Sequence, residues 1–226
     1  MNRINSLLPT RIDTKLGGVL VKREDIQYPG DIPSPSAAEQ LLYNSNQQIP
    51  LIKHTSNSIG GRIWQNRMHY GTQGNRPVLN GVTAGPTTHL EERIKILHSD
   101  VYGNPVEVQV DGVTTIYLWG YQGTYLMAEI QGASYTQVES ALGRSPLTLS
   151  DEINPSSYIT IMRPPLRLLG AFVNSYTYDP VAGLTSKTDS RGITEYYSYD
   201  NFQRLKRVLD YQYNILKDYQ YNYRNN

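Results

Sequence analysis

Four histidines, His54, His69, His89 and His98, are the first side chains to weigh for chemistry, because an imidazole titrates near neutrality and ligates metals. They are scattered, with no spacing that would gather them as ligands or pair one with a nucleophile. Glu91-Glu92 offers two carboxylates for acid–base work, but adjacent residues on a strand point to opposite faces. Gly60-Gly61 and Gly71-x-x-Gly74 lack the strand–loop–helix setting of a phosphate loop. No Gly-x-Ser-x-Gly elbow frames any serine. The absence of cysteine removes disulfides, thiolate chemistry and cysteine-based zinc sites together. The expectation is a protein that is no enzyme and takes no cofactor or metal.

The acidic residues that do recur are Asp179, Asp200 and Asp210, and each falls where a turn is expected. A carboxylate there accepts the amides of the turn, which favours a structural role over a catalytic one.

Composition points to strands. There are 19 tyrosines against two Phe and two Trp, with 18 Gly and 13 Pro. Tyr pairs a large apolar ring with a polar tip and suits half-buried sheet faces, while Gly and Pro supply tight turns. The 21 basic and 20 acidic residues are interspersed, giving a net charge of +1. No basic stripe could neutralise a run of phosphates, so no nucleic acid is expected as a partner. No apolar run approaches the roughly 20 residues of a membrane span, and Met1 to Pro9 lacks the apolar core of a signal peptide.

The chain reads as residues 1–98, a β-meander with one short helix, followed by residues 99–226 with a helical insert at about 133–170. Gly18 to Val21 reads as a strand that polar residues and Pro29-Gly30 interrupt. A helix from about Pro35 to Tyr43 has two competing starts. Ser34 could cap it with Pro35 at the first position, or Ser36 could cap it with Glu39 closing a capping box. Segments Ile52 to Thr55, Gly61 to Tyr70 and Arg93 to Leu97 alternate, punctuated by Gly60-Gly61, Gly71, Gly74 and Asn80-Gly81. Val106 to Trp119 forms a hairpin around Asp111-Gly112, a type I′ pair. Ser134 and Gln137 make a capping box, Val138 and Leu142 share a face, and Gly143 stops the helix. A further helix starts at Asn154-Pro155 and ends before Pro164-Pro165.

From Ser175 the sequence repeats. Tyr176-Thr177-Tyr178-Asp179 returns as Tyr197-Ser198-Tyr199-Asp200, Gly183-Leu184 as Arg204-Leu205, and Asp189 as Asp210. Tyr219-Gln220-Tyr221 opens a third copy. Alternate tyrosines share one strand face, Asp ends the strand, and Gly192 gives Asp189-Ser190-Arg191-Gly192 its turn. Each unit is then a hairpin that stacks its rings on the next. Tyr213 stands where that turn's glycine is expected, so the last turn should differ or be strained.

The pattern Tyr-x-Tyr-Asp-x-x-x-Gly/Arg-Leu-x-x-x-x-Asp resembles the YD-repeat (Rhs-repeat) family. Asp100-Val101-Tyr102-Gly103-Asn104-Pro105 is similar to that family's Asp-x-x-Gly-Asn turn, and Tyr117-Leu118-Trp119-Gly120-Tyr121 to a degenerate repeat start. The stretch from Tyr117 to Leu142 resembles large YD-repeat surface proteins of Bacteroidetes. The resemblance is specific over residues 99–226 and weaker over 20–98. It implies a mainly β fold, a hairpin meander or spiral sheet with a small helical insert, in a cell-surface or secreted scaffold that in some members encloses toxic cargo. Expected partners are neighbouring YD repeats or a second copy through sheet edges, with a glycan on the tyrosine faces as the alternative. Cargo-bearing members carry Asp-Pro-x-Gly ahead of self-cleavage. Asp179-Pro180-Val181-Ala182-Gly183 has one residue too many, so cleavage is not carried over. Two or three repeats fall short of what repeat folds need, and the chain reads as a piece of something longer. The last tyrosines, Tyr219 to Tyr223, read as a strand at a sheet edge prone to self-pairing.

Overall fold

The computed structural model describes residues 8–57, 63–153 and 156–222. The chain divides into two compact units, residues 1–97 with 109–112, and residues 98–108 with 113–226. Among the described residues the fold is mainly β, with fourteen strands and four α-helices. Within each unit, strands that follow one another in sequence lie side by side and antiparallel.

The first unit carries strands β1 (Arg11–Leu16), β2 (Val19–Gln27), β3 (Ile52–Asn57), β4 (Ile63–Gln73), β5 (Arg76–Pro86) and β6 (Glu91–Ser99), with helix α1 (Ala37–Asn44) between β2 and β3. The strand expected at Gly18 to Val21 runs on to Gln27. Its polar residues are held from both sides, Arg23 by Asp13 at 2.8 Å and Glu24 by Lys53 at 2.6 Å. Gly17 and Gly18 form the preceding turn, with φ of 55° and 81°. Asn80-Gly81 and Gly71 do not punctuate the chain but lie inside β5 and β4. A β-carbon on Gly81 would stand 2.5 Å from the Ile94 carbonyl oxygen, so this glycine serves close strand approach rather than a turn. The Gly60-Gly61 turn lies outside the described residues, as does Asn154-Pro155.

Of the two helix starts, Ser36 prevails. Its Oγ accepts the Glu39 amide at 3.2 Å while Glu39 accepts the Ser36 amide at 2.7 Å. Leu42 is thereby buried against Ile32, Leu51 and Ile52.

The second unit contains β7 (Pro105–Val110), β8 (Val113–Gly120), β9 (Tyr125–Gln131), β10 (Phe172–Asp179), β11 (Gly183–Thr188), β12 (Thr194–Tyr199), β13 (Leu205–Leu209) and β14 (Ile215–Asp218). Between β9 and β10 come α2 (Tyr135–Leu142), α3 (Pro146–Leu149) and α4 (Ser156–Leu168). The Asp111-Gly112 pair takes φ of 46° and 85°, as a type I′ turn requires. Ser134 caps α2 and Gly143 ends it at φ 67°.

Helix α4 departs from expectation, because Pro164 and Pro165 lie inside it. Each interior proline removes a helix hydrogen bond and costs about 3 kcal/mol. Ile159 and Met162 before the prolines, and Leu166 after them, are all buried in one core with Ile116, Leu118, Met127, Ile130 and Val173. Burying Met162 and Leu166 contributes roughly 1.5–3 kcal/mol each, enough to hold both halves of the helix to the sheet. The strand expected at Tyr219 to Tyr223 is not found there: the terminal strand lies earlier and ends at Asp218, with Tyr219 to Asn222 outside regular structure and Tyr223 outside the described residues.

Candidate functional site

One turn recurs through the second unit. Asp189 Oδ1 accepts the amides of Arg191 and Ile193 at 3.0 and 2.9 Å. Asp200 Oδ1 does the same for Phe202 and Arg204 at 2.9 and 3.0 Å. Asp210 Oδ1 holds Gln212 and Asn214, both at 2.8 Å. The pattern reaches back to Asp100, whose Oδ1 accepts Tyr102 and Asn104 at 2.9 and 2.8 Å. In all four the aspartate amide also donates to the carbonyl four residues on, and the amide three residues on returns to the aspartate carbonyl.

The residue three places after the aspartate is left-handed each time. Gly103 and Gly192 take φ of 89° and 93°, whereas Gln203 and Tyr213 take 60° and 64°. The last turn therefore does not differ, and Tyr213 adopts the glycine conformation itself. Its ring lies 4.8 Å from that of Tyr196, nearly parallel, which helps offset the strain. The second carboxylate oxygen is held from within the turn, by Asn104, by Arg191, by the Arg204 guanidinium and by Asn214. Asp179 is a variant. Its Oδ1 accepts Val181 and Ala182 at 2.8 and 3.2 Å, and Gly183 returns the chain at φ 117°.

In Asp189, Asp200 and Asp210 these contacts favour the ionised carboxylate. The Ile193 amide lowers the pKa of Asp189, the Arg204 side chain that of Asp200, and the Asn214 side chain that of Asp210, each against opposing desolvation.

The repeat tyrosines share strand faces but do not stack on one another. Tyr176 and Tyr178 lie in β10, Tyr197 and Tyr199 in β12, and Tyr219 and Tyr221 just beyond β14. One repeat is two strands wide, so equivalent rings stand roughly 9–10 Å apart, beyond ring contact. The rings find other partners. Tyr178 stacks on Tyr125 at 4.5 Å and meets Tyr121 edge-on at 6.1 Å. Tyr199 covers Gly183 and donates to the Leu184 carbonyl at 2.7 Å. Tyr221 lies under the Arg204 guanidinium, 4.3 Å from its ring centre, and donates to the Leu205 carbonyl at 2.8 Å. Burial, aided by Glu129, pushes Tyr176 up to about 12, and burial with Glu195 does the same to Tyr197. Their hydroxyls stay protonated donors.

The remaining singled-out residues have local partners. Trp119 donates from Nε1 to the Pro105 carbonyl at 2.7 Å, and Gly120 ends β8. His54 meets Gln65 at 3.0 Å, His69 meets Thr83 at 2.9 Å and His98 meets Glu107 at 2.6 Å. Glu91 pairs with Arg93 at 2.7 Å and Glu92 with Lys95 at 3.5 Å.

Sequence reasoning missed a groove of about 810 Å³ between α4 and strands β10, β11 and β12. Its floor is a grid of hydroxyl residues set by register: Ser175, Thr188 and Thr194 in one row, Thr177, Ser186 and Tyr196 in the next. Arg163 and Arg167 line the helix side. The signal was present as alternation, since each of the three strands places hydroxyl residues two apart on one face.

Fold and turn geometry together define a mainly β hairpin-repeat protein. Neither a protein-family model nor a curated protein matches the chain. Among solved structures, it is similar to a TcdB2-TccC3-TEV crystal structure at 14% identity and a TM-score of 0.47, covering 92% of this chain and 9% of that one. A second, TcdB2-TccC3 without its hypervariable C-terminal region, gives 14% identity and a TM-score of 0.41, covering 85% of this chain and 11% of that one. The chain thus spans about a tenth of the length of either.

Proposed function

We propose that this chain is a non-enzymatic structural scaffold of the YD-repeat (Rhs-repeat) type, part of a larger cell-surface or secreted protein. The observation behind this reading is the recurrence of one hydrogen-bonded turn at Asp100, Asp189, Asp200 and Asp210. The aspartates spend their oxygens on their own backbone, which suits propagation of a sheet rather than chemistry. An encapsulating role, and pairing with further repeats along sheet edges, extend the same reading.

Thermal unfolding of Asp200→Ala and Asp210→Ala, followed by circular dichroism, tests it. Both variants should melt lower than the parent chain. Unchanged melting would detach the recurrent turn from the integrity of the sheet, and turnover in a broad hydrolase screen would end the non-enzymatic reading.

A second reading is favoured by the exposure of Tyr211, Tyr213 and Tyr219, at 59%, 65% and 40%. Exposed rings of this kind suit a carbohydrate- or surface-binding module. A glycan array without a hit would remove it.

A further inference from the structure

The groove beside α4 combines two features that the scaffold reading leaves unused. The first is positive charge with no carboxylate among the residues that line the groove. Arg163 spends its guanidinium on neutral acceptors, donating to the Val173 carbonyl at 2.8 Å, Ser175 Oγ at 2.9 Å and the Asp189 carbonyl at 2.7 Å. The guanidinium of Arg167 rests over Gly192, 3.1 Å from where a β-carbon would stand, and holds no partner among the described residues. Burial and repulsion from Arg167 both lower the Arg163 pKa, and the Asp189 charge only partly opposes them. An anion in the groove would relieve that repulsion.

The second feature is the hydroxyl grid. Thr188 and Thr194 share one hydrogen bond at 2.9 Å, and Thr177 bonds both Ser186 at 2.6 Å and Thr185 at 2.8 Å. A hydroxyl carries one proton and two lone pairs, so each of the two clusters keeps one donor and several acceptors free to turn toward a ligand. Such reversible groups suit a partner that itself carries hydroxyls.

We propose that this groove binds a small phosphorylated polyol, with the phosphate against Arg167 in the field of Arg163 and the polyol hydroxyls over the grid. A dianionic phosphate matches two guanidiniums in charge, and Arg suits phosphate recognition by its fork of donors. The groove's volume of about 810 Å³ exceeds what inorganic phosphate alone would fill and lies in the range of small-molecule sites.

The test is isothermal titration of the full chain at low salt with three probes: glucose 6-phosphate, inorganic phosphate and glucose. Glucose 6-phosphate should bind at least roughly tenfold more tightly than either of the others. Arg167→Ala, at an exposed position, should weaken it by roughly tenfold or more, with an unchanged circular dichroism spectrum. Thr188→Val should weaken glucose 6-phosphate while sparing inorganic phosphate. No heat with glucose 6-phosphate overturns the site. Equal affinity for inorganic phosphate overturns the role of the grid, and binding untouched by Arg167→Ala overturns the location. None of these outcomes depends on the melting behaviour that tests the scaffold.

Discussion

The hydroxyl of Tyr199 reaches back 2.7 Å to the carbonyl of Leu184, and one repeat later Tyr221 reaches back 2.8 Å to Leu205. In the second and third copies the second tyrosine therefore clamps the strand that closes the preceding unit, with its ring over residue 183 in one case and residue 204 in the other. Cohesion between repeats runs through this phenol-to-backbone bond and the ring beneath it, not through a column of stacked rings. Nearest-neighbour contact of this sort is what makes repeat stability build unit by unit.

Removing only that bond isolates its worth. Tyr199→Phe should destabilise the chain by about 0.5–1.5 kcal/mol, and Tyr199→Ala by more because the ring over Gly183 is lost as well. Urea unfolding checks this as a lower midpoint at unchanged slope.

The left-handed positions offer a gain. Gln203→Gly relieves a side chain at φ 60° and should stabilise by up to about 1 kcal/mol once the added freedom of the unfolded glycine is set against it. Tyr213→Gly gives the same relief but forfeits the stack on Tyr196, so its net effect should be close to zero. Gly192→Ala goes the other way, since it adds strain at φ 93° and crowds Arg167. Parallel thermal melts should rank the three in that order.

Acid should loosen the turns. Asp189, Asp200 and Asp210 are depressed below the ordinary value of 3.8, so their ionised forms favour the folded chain. The sign follows: their contribution is complete above pH 3.8 and disappears as pH falls through the lowered folded values. Melting temperatures measured downward from pH 6 should hold level and then drop at the acid end. A triple Asp→Asn variant should show a shallower drop.

Helix α4 can be probed at both its strengths. Leu166→Ala empties a fully buried site and should cost about 2–5 kcal/mol. Pro164→Ala restores a helix amide at an exposed position and should raise stability by up to about 3 kcal/mol. Denaturant titration resolves both.

Much of the chain from β7 onward was legible because its punctuation is chemically explicit. Asp111-Gly112, the Ser134 and Gln137 box, and the paired Tyr-x-Tyr-Asp motifs each state a local geometry that tertiary contacts do not override. The turn after Asp200 was less legible, since Gln203 hides a left-handed residue behind a side chain that rarely adopts that conformation. The extension of β2 to Gln27 escaped notice because ion pairs with both neighbouring strands, rather than apolar alternation, support it. Pro164-Pro165 misled for a similar reason, as only the shared core reveals what holds the helix on either side. The groove was least legible, since its guanidiniums come from α4 and its hydroxyls from strands further along the chain.

Because β10 to β13 run back and forth, the loops at Asp179 and Asp200 open on one rim of the sheet and those at Asp189 and Asp210 on the other. The bonds that close each loop involve the aspartate and backbone amides, leaving tip residues such as Phe202 and Tyr211 pointing outward at 74% and 59% exposure. Each rim is thus a row of interchangeable display positions. Foreign side chains grafted at 201–202 would decorate one border while the opposite border kept its native chemistry.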